Sequence, residues 1–185
     1  MTDDHRPSEA SVSRDTLRTA VIVPLAAPEI ASAWRERTVP DVSGVPLHVT
    51  IIFPFVAAAQ IDDAVLAAVA EIGATKTPFA VRLAKTRRFP NFLYIAPEPA
   101  AAFVDLVEAF VGRFPQHLPY GGIYDEVIPH LTVAYGEAEV LDAAAAEIGR
   151  SLPVTVEARE LVLLAELEPG GKRWAARARF ALGGA

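Results

Sequence analysis

Cysteine is absent from the 185 residues, and with it go disulfides, thiolate nucleophiles and cysteine-bound zinc. Long apolar runs are missing too. The longest, such as residues 51–59, fall far short of bilayer thickness and are broken by Pro54, so no membrane span is expected. Cationic excess is also lacking: the formal charge is -6, which argues against sequence-blind binding to duplex DNA but leaves room for a local phosphate site. No G-x-x-x-x-G-K-[ST] loop, no G-x-G-x-x-G after a strand and no G-x-S-x-G elbow occurs. Nucleoside triphosphate chemistry, dinucleotide binding and α/β-hydrolase chemistry are therefore not indicated. Residues 1–18 (MTDDHRPSEASVSRDTLR) are polar and mixed in charge, without an apolar core or cleavage site. They read as a frayed, disordered tail rather than a secretory leader, which fits a cytoplasmic protein.

What is present is enough apolar material for a sizeable core: 52% of the residues, far from a disordered composition. Residues 19–26 (TAVIVPLA) read as a buried strand and 29–37 as a short helix. Residues 47–55 form a strand rich in β-branched side chains. In residues 61–72, Ile61, Val65, Leu66, Val69 and Ile72 fall on one helical face behind Asp62 and Asp63. Residues 79–88 alternate as a strand. The order then recurs: a strand over 92–96, a helix over 101–114, a loop, a strand over 130–135, a helix over 140–148 and a long strand over 154–167. A hairpin turn at Pro169-Gly170-Gly171 leads to a last strand over 174–182. The pattern predicts an α+β fold: one domain over 19–185, built by internal duplication into lobes of about 19–90 and 91–185. Two mainly antiparallel sheets would line a central cleft, with helices outside.

Chemistry concentrates in two short strands. Side chains two apart on a strand share a face. His48 and Thr50 therefore project together, as do His130 and Thr132, while Val49 and Leu131 point into the core. Two imidazoles flanking one phosphate suit phosphodiester chemistry: one takes a proton from the attacking oxygen, the other protonates the departing one. Histidine holds both states near neutrality, so a bell-shaped pH dependence centred near pH 7 is expected. The threonine hydroxyls can donate to the non-bridging oxygens. Neither motif lies beside a second ligand at metal spacing, so no metal and no cofactor are expected. A lone His-x-Thr on a strand more often marks a hydrogen-bonded edge position; two copies at equivalent places in similar halves favour a shared site.

The segments LHVTIIFPF (47–55) and PHLTVAYG (129–136) resemble the twin H-x-T-h signature of the 2H phosphoesterase superfamily, h being apolar. Its bacterial 2'-5' RNA ligase-like or cyclic phosphodiesterase-like branch is the most similar, and the resemblance covers about residues 19–182. It implies a two-lobed fold with pseudo-twofold symmetry and metal-independent hydrolysis or formation of RNA-type phosphodiesters, often through a 2',3'-cyclic phosphate. By motif, His48 and His130 match the acid/base pair, and Thr50 and Thr132 the phosphate-binding hydroxyls. The partner implied is a nucleotide or an RNA with a cyclic phosphate or 2'-5' linkage, met by a monomer. One position departs from the pattern: bacterial RNA ligase-type members often carry Arg five positions after the second His, where this chain has Tyr135. The substitution weakens the carry-over to long RNA.

Other residues divide between site and scaffold. Between Ile72 and Pro97 there is no acidic residue, yet Lys76, Arg82, Lys85, Arg87 and Arg88 fall there. The window could steer an anionic substrate, or simply protect a strand edge. Arg88, Tyr124 and Tyr135 are candidate substrate contacts. The loop with Tyr120, Gly121, Gly122 and Tyr124 could stack a base, although a turn packed on its own domain is the more ordinary reading. Phe53, Phe89 and Phe92 read as core, and His117 as solvent-exposed. A nucleotide- or RNA-binding module without turnover is the rival to an enzyme, and a ligase working in reverse is a further alternative.

Overall fold

A computed structural model of the protein describes residues 16–39, 42–124 and 126–183. The expectation for residues 1–15 lies outside these. Residues 16–18, also expected in the tail, are tied down. The Leu17 carbonyl accepts from the Ala58 N–H. Arg18 donates from its backbone N–H and its guanidinium to the Glu166 carboxylate, which is buried.

In chain order, β1 (Thr19–Pro24), α1 (Glu29–Thr38) and β2 (His48–Ile52) come first, then α2 (Asp63–Ala74), β3 (Phe79–Phe89) and β4 (Phe92–Glu98). They are followed by α3 (Ala100–Arg113), β5 (Leu131–Tyr135) and α4 (Ala138–Gly149), and then by β6 (Val154–Ala158), β7 (Glu160–Glu166) and β8 (Trp174–Ala181). Local rules account for much of this. Asp62 caps α2, its carboxylate accepting from the Val65 N–H at 2.9 Å, as an aspartate ahead of an apolar helical face should. α3 buries Phe103, Leu106, Val107 and Phe110 along one stripe. Emptying either fully buried phenylalanine to alanine would cost about 3–5 kcal/mol. No helix among the described residues is long and apolar enough to cross a membrane.

The α+β class is as expected, but the strands form one antiparallel sheet of eight in the order β6-β3-β4-β5-β2-β1-β7-β8, not two. The two expected sheets are its halves, joined where β2 meets β5 through the single pair Val49↔Leu131. The halves also do not follow the expected split near residue 90, because the β3–β4 hairpin spans that boundary. Helices are exchanged between halves as well. α1, which follows β1, packs on β5, whereas α3, which follows β4, packs on β2. The strand read as 154–167 is two strands broken at Arg159: β6 pairs with β3 at one edge, and β7 pairs with β1 and β8 in the other half. The strand-forming stretches on either side of Arg159 carry no sign of that exchange of partners.

Candidate active site

The β2–β5 junction follows from the alternation of the two motifs. Val49 and Leu131 are paired and buried at 1% and 0% exposure, so each anchors its strand in the core. Antiparallel continuation from that pair sets His48 across from Thr132 and Thr50 across from His130, all four on the opposite face. They line one cleft of about 550 Å³. A pair of short polar motifs thus becomes a single site because the residues between them are apolar.

Both imidazoles are held in the same way. His48 donates Nδ1–H to the Pro46 carbonyl at 2.7 Å, and His130 donates Nδ1–H to the Ile128 carbonyl at 2.7 Å. A carbonyl can only accept, so the proton of each neutral ring sits on Nδ1 and its Nε2 carries a lone pair. The Nε2 of His48 lies 3.2 Å from the Thr50 Oγ. Thr50 is in turn hydrogen-bonded to Tyr120, whose hydroxyl ionises above its usual range because it is buried. Tyr120, Thr50 and His48 are thus linked in one run of hydrogen bonds. Tyr120 reaches this position on a left-handed backbone (φ 53°), a conformation that costs a non-glycine residue about 1–2 kcal/mol. Its N–H is pinned to the Phe53 carbonyl at 2.6 Å, at the end of β2.

Beyond this common frame the surroundings differ. Burial pushes His48 down to about 4, helped by the positive charge of Arg35 and by repulsion from His130 and only partly opposed by the Pro46 carbonyl. His130 is also lowered, by burial alone, with the Ile128 carbonyl opposing. That burial is aromatic: Phe89, Phe92 and Tyr94 stand with ring centroids 5.7, 5.7 and 5.8 Å from the His130 ring.

Tyr124 and Tyr135, the candidate substrate contacts, line the cleft, and so does Tyr120; a self-packed turn had been the more ordinary reading for the loop that carries Tyr120 and Tyr124. Arg88 does not. It is engaged with Asp142 of α4 outside the cleft, and no other residue of the basic window 76–88 lines the cleft. Phe89 and Phe92, expected in the core, are half-buried cleft walls at the β3–β4 turn. Phe53 packs against Trp174 elsewhere. His117 is not freely exposed but half-buried, edge-on to Phe55 at 5.7 Å. The residue that sequence reasoning missed is Arg35. It sits on α1, far from either motif in the chain, and the exchange of helices brings it to the cleft beside β5, where the Tyr135 N–H donates to Thr38 of the same helix. Its Nη1 donates to the Val45 and Pro46 carbonyls at 3.3 and 3.1 Å. Pro46 therefore accepts from both Arg35 and His48. Among the described residues no three metal-ligating side chains converge.

Comparison with known proteins agrees with this architecture. The family model of the 2'-5' RNA ligase superfamily matches residues 23–169. The fold is similar to the crystal structure of TT0787 of Thermus thermophilus, with TM-score 0.55 and 21% identity over 90% of this chain and 98% of that one. It is similar to E. coli LigT in apo form, with TM-score 0.57 and 17% identity over 91% and 98% of the two chains. E. coli LigT complexed with 3'-AMP gives TM-score 0.54 and 16% identity over 91% and 99%. No curated protein sequence matches the chain. With the matched segment containing both His-x-Thr strands and most of the sheet, the chain belongs to the 2'-5' RNA ligase superfamily and so to the 2H phosphoesterases.

Proposed function

We propose that the protein is a phosphoesterase that opens a 2',3'-cyclic phosphate, or a closely related nucleotide phosphodiester, by acid–base catalysis without a metal. The observation that carries this reading is the matched fixing of the two rings: each Nδ1 is occupied by a backbone carbonyl two residues upstream, so each Nε2 is the proton-transferring atom at one cleft. His48, depressed to about 4, is neutral at physiological pH and acts as the base, taking the proton of the attacking water. The water oxygen bonds to phosphorus and the ring ester bond breaks. His130, lowered by burial and not by a neighbouring charge, takes up a proton as the anionic phosphate binds and delivers it from Nε2 to the departing ribose oxygen. Thr50 and Thr132 donate hydrogen bonds to the non-bridging oxygens as charge gathers there.

The aromatic walls from Phe89, Phe92, Tyr120 and Tyr124 suit a nucleobase, since stacking is tolerant of base identity. The complex of the similar E. coli LigT with 3'-AMP points to the same kind of ligand. Purified protein incubated with a panel of 2',3'-cyclic nucleotides in EDTA, with products resolved by chromatography, tests the proposal. A nucleoside monophosphate formed at an undiminished rate in chelator is the expected result. Tight binding without product would indicate a binding module instead, and activity restored only by a divalent ion would overturn the metal-free mechanism.

A further inference from the structure

The charge of the cleft limits what it can hold. Among the described residues that line it, Arg35 is the single lysine or arginine and Glu126 the single carboxylate. Of the other cations nearby, Arg82 is paired with Glu98, Arg88 with Asp142 and Arg37 with Glu147, and Lys85 and Arg87 of β3 do not line the cleft. Apart from the two histidines, the two threonines and Asn91, the remaining walls are aromatic and aliphatic. A chain of nucleotides presents a phosphate at every step and is ordinarily met by a track of lysine and arginine. Each further phosphate entering this cleft would be desolvated against aromatic rings, or set near Glu126, with no counter-charge. Arg35, by contrast, is held in place. Its Nη1 is anchored on the Val45 and Pro46 carbonyls, and its Nε is buried with no partner in the protein. A guanidinium fixed in this way, at the edge of a site with two hydroxyls and two imidazoles, meets an anion at little ordering cost.

We infer that the cleft takes a ligand bearing one phosphate group, with Arg35 as its counter-charge, so that the substrate is a mononucleoside 2',3'-cyclic phosphate or a similarly small cyclic phosphodiester rather than the end of an RNA chain. The inference rests on the reading of the cleft as a phosphoesterase site and sharpens its substrate class. It also explains how the site manages with Tyr135 at the position where a cation was expected: the positive charge comes from α1, which packs on the same strand.

Two measurements test it. In the first, kcat/KM is compared for adenosine 2',3'-cyclic phosphate, the same compound with an added 5'-phosphate, and a trinucleotide ending in the cyclic phosphate. A fall of at least about tenfold with each step is expected for unpaired phosphates at a poorly hydrated site. A trinucleotide turned over as well as the mononucleotide would overturn the inference. In the second, inorganic phosphate and 3'-AMP are titrated against the His48 and His130 ring resonances. Arg35→Gln should weaken both ligands about tenfold or more, Arg35→Lys should recover part of the loss, and Arg88→Gln, outside the cleft, should match wild type. The His48 ring should also titrate at higher pH in Arg35→Gln, since a like charge has been removed; a merely structural role would not move it. Unchanged phosphate binding by a folded Arg35→Gln variant would remove Arg35 from the site. If no cyclic phosphate is hydrolysed at all but the Arg35-dependent preference for one-phosphate ligands holds, the catalytic reading fails and this inference stands.

Discussion

The two His-x-Thr strands share a motif, a register and a backbone clamp, yet their surroundings have almost nothing in common. β2 places His48 beside a guanidinium and a chain of hydroxyls, with Pro46 bonded to both His48 and Arg35. β5 places His130 in a box of three aromatic rings. Burial, with the positive charge of Arg35 added to it, makes protonation of His48 harder. Aromatic faces only remove water from His130, and they can stabilise an imidazolium once a phosphate supplies the opposing charge. On the proposed reading, two groups held in the same way are given different roles by their neighbours.

Removing either group should break the comparison outright. His48→Ala and His130→Ala should each lower kcat by roughly 10²–10⁴-fold, the worth of one proton transfer. The double variant should lose less than the product of the two losses, since groups acting as a unit are not additive. Steady-state kinetics on the cyclic nucleotide that turns over best would show this, and near-normal turnover by either single variant would contradict it.

The pH profile sharpens the assignment. kcat/KM reports the free protein, where the productive form has His48 neutral and His130 protonated. Its acid limb should lie near pH 4, where His48 titrates, and its alkaline limb below 6.5, because His130 is lowered from that value. The bell should therefore peak on the acid side of neutrality, not at neutrality as the sequence alone suggested. The limbs belong to the coupled pair. A maximum at or above pH 7 in kcat/KM would remove the present assignment of roles.

A smaller change should separate the two environments. Phe92→Ala opens the aromatic box to water, so His130 should titrate closer to 6.5 while His48 stays near 4. Ring resonances followed by NMR would report this, and equal movement of both rings would mean that the two environments are not separable.

The smallest effect concerns stability. The folded-state pKa of His48 is depressed, so its contribution is fully present above 6.5 and is lost as pH falls towards about 4, where the unfolded chain binds a proton that the folded chain refuses. In thermal melts across that window, His48→Ala should lose part of the wild-type slope while remaining folded at pH 7. A slope identical to wild type would mean that His48 is not depressed.

Much of this site was legible because its signal is local. Alternation on a strand puts His48 with Thr50 and His130 with Thr132 before any fold is known, and the apolar residues between them report the buried side. α2 was legible for a similar reason, its Asp62 cap standing directly before its apolar face. What could not be read depends on which element meets which. Arg35 is one arginine among several until α1 is seen to pack on β5. Phe89 and Phe92 have the composition of core residues, and only their place at the β3–β4 turn makes them walls of a cleft. The break at Arg159 separates two strands that lie in different halves of the sheet, a long-range choice that leaves no periodicity behind.

The most direct test of the division of labour is a pH titration of the His48 and His130 ring resonances in one sample, without and with inorganic phosphate. His48 is expected to stay neutral down to about pH 4, and His130 to titrate below 6.5 in the empty cleft and move upward when phosphate binds. Two rings titrating together, or His48 taking the proton first, would contradict the assignment of base and acid.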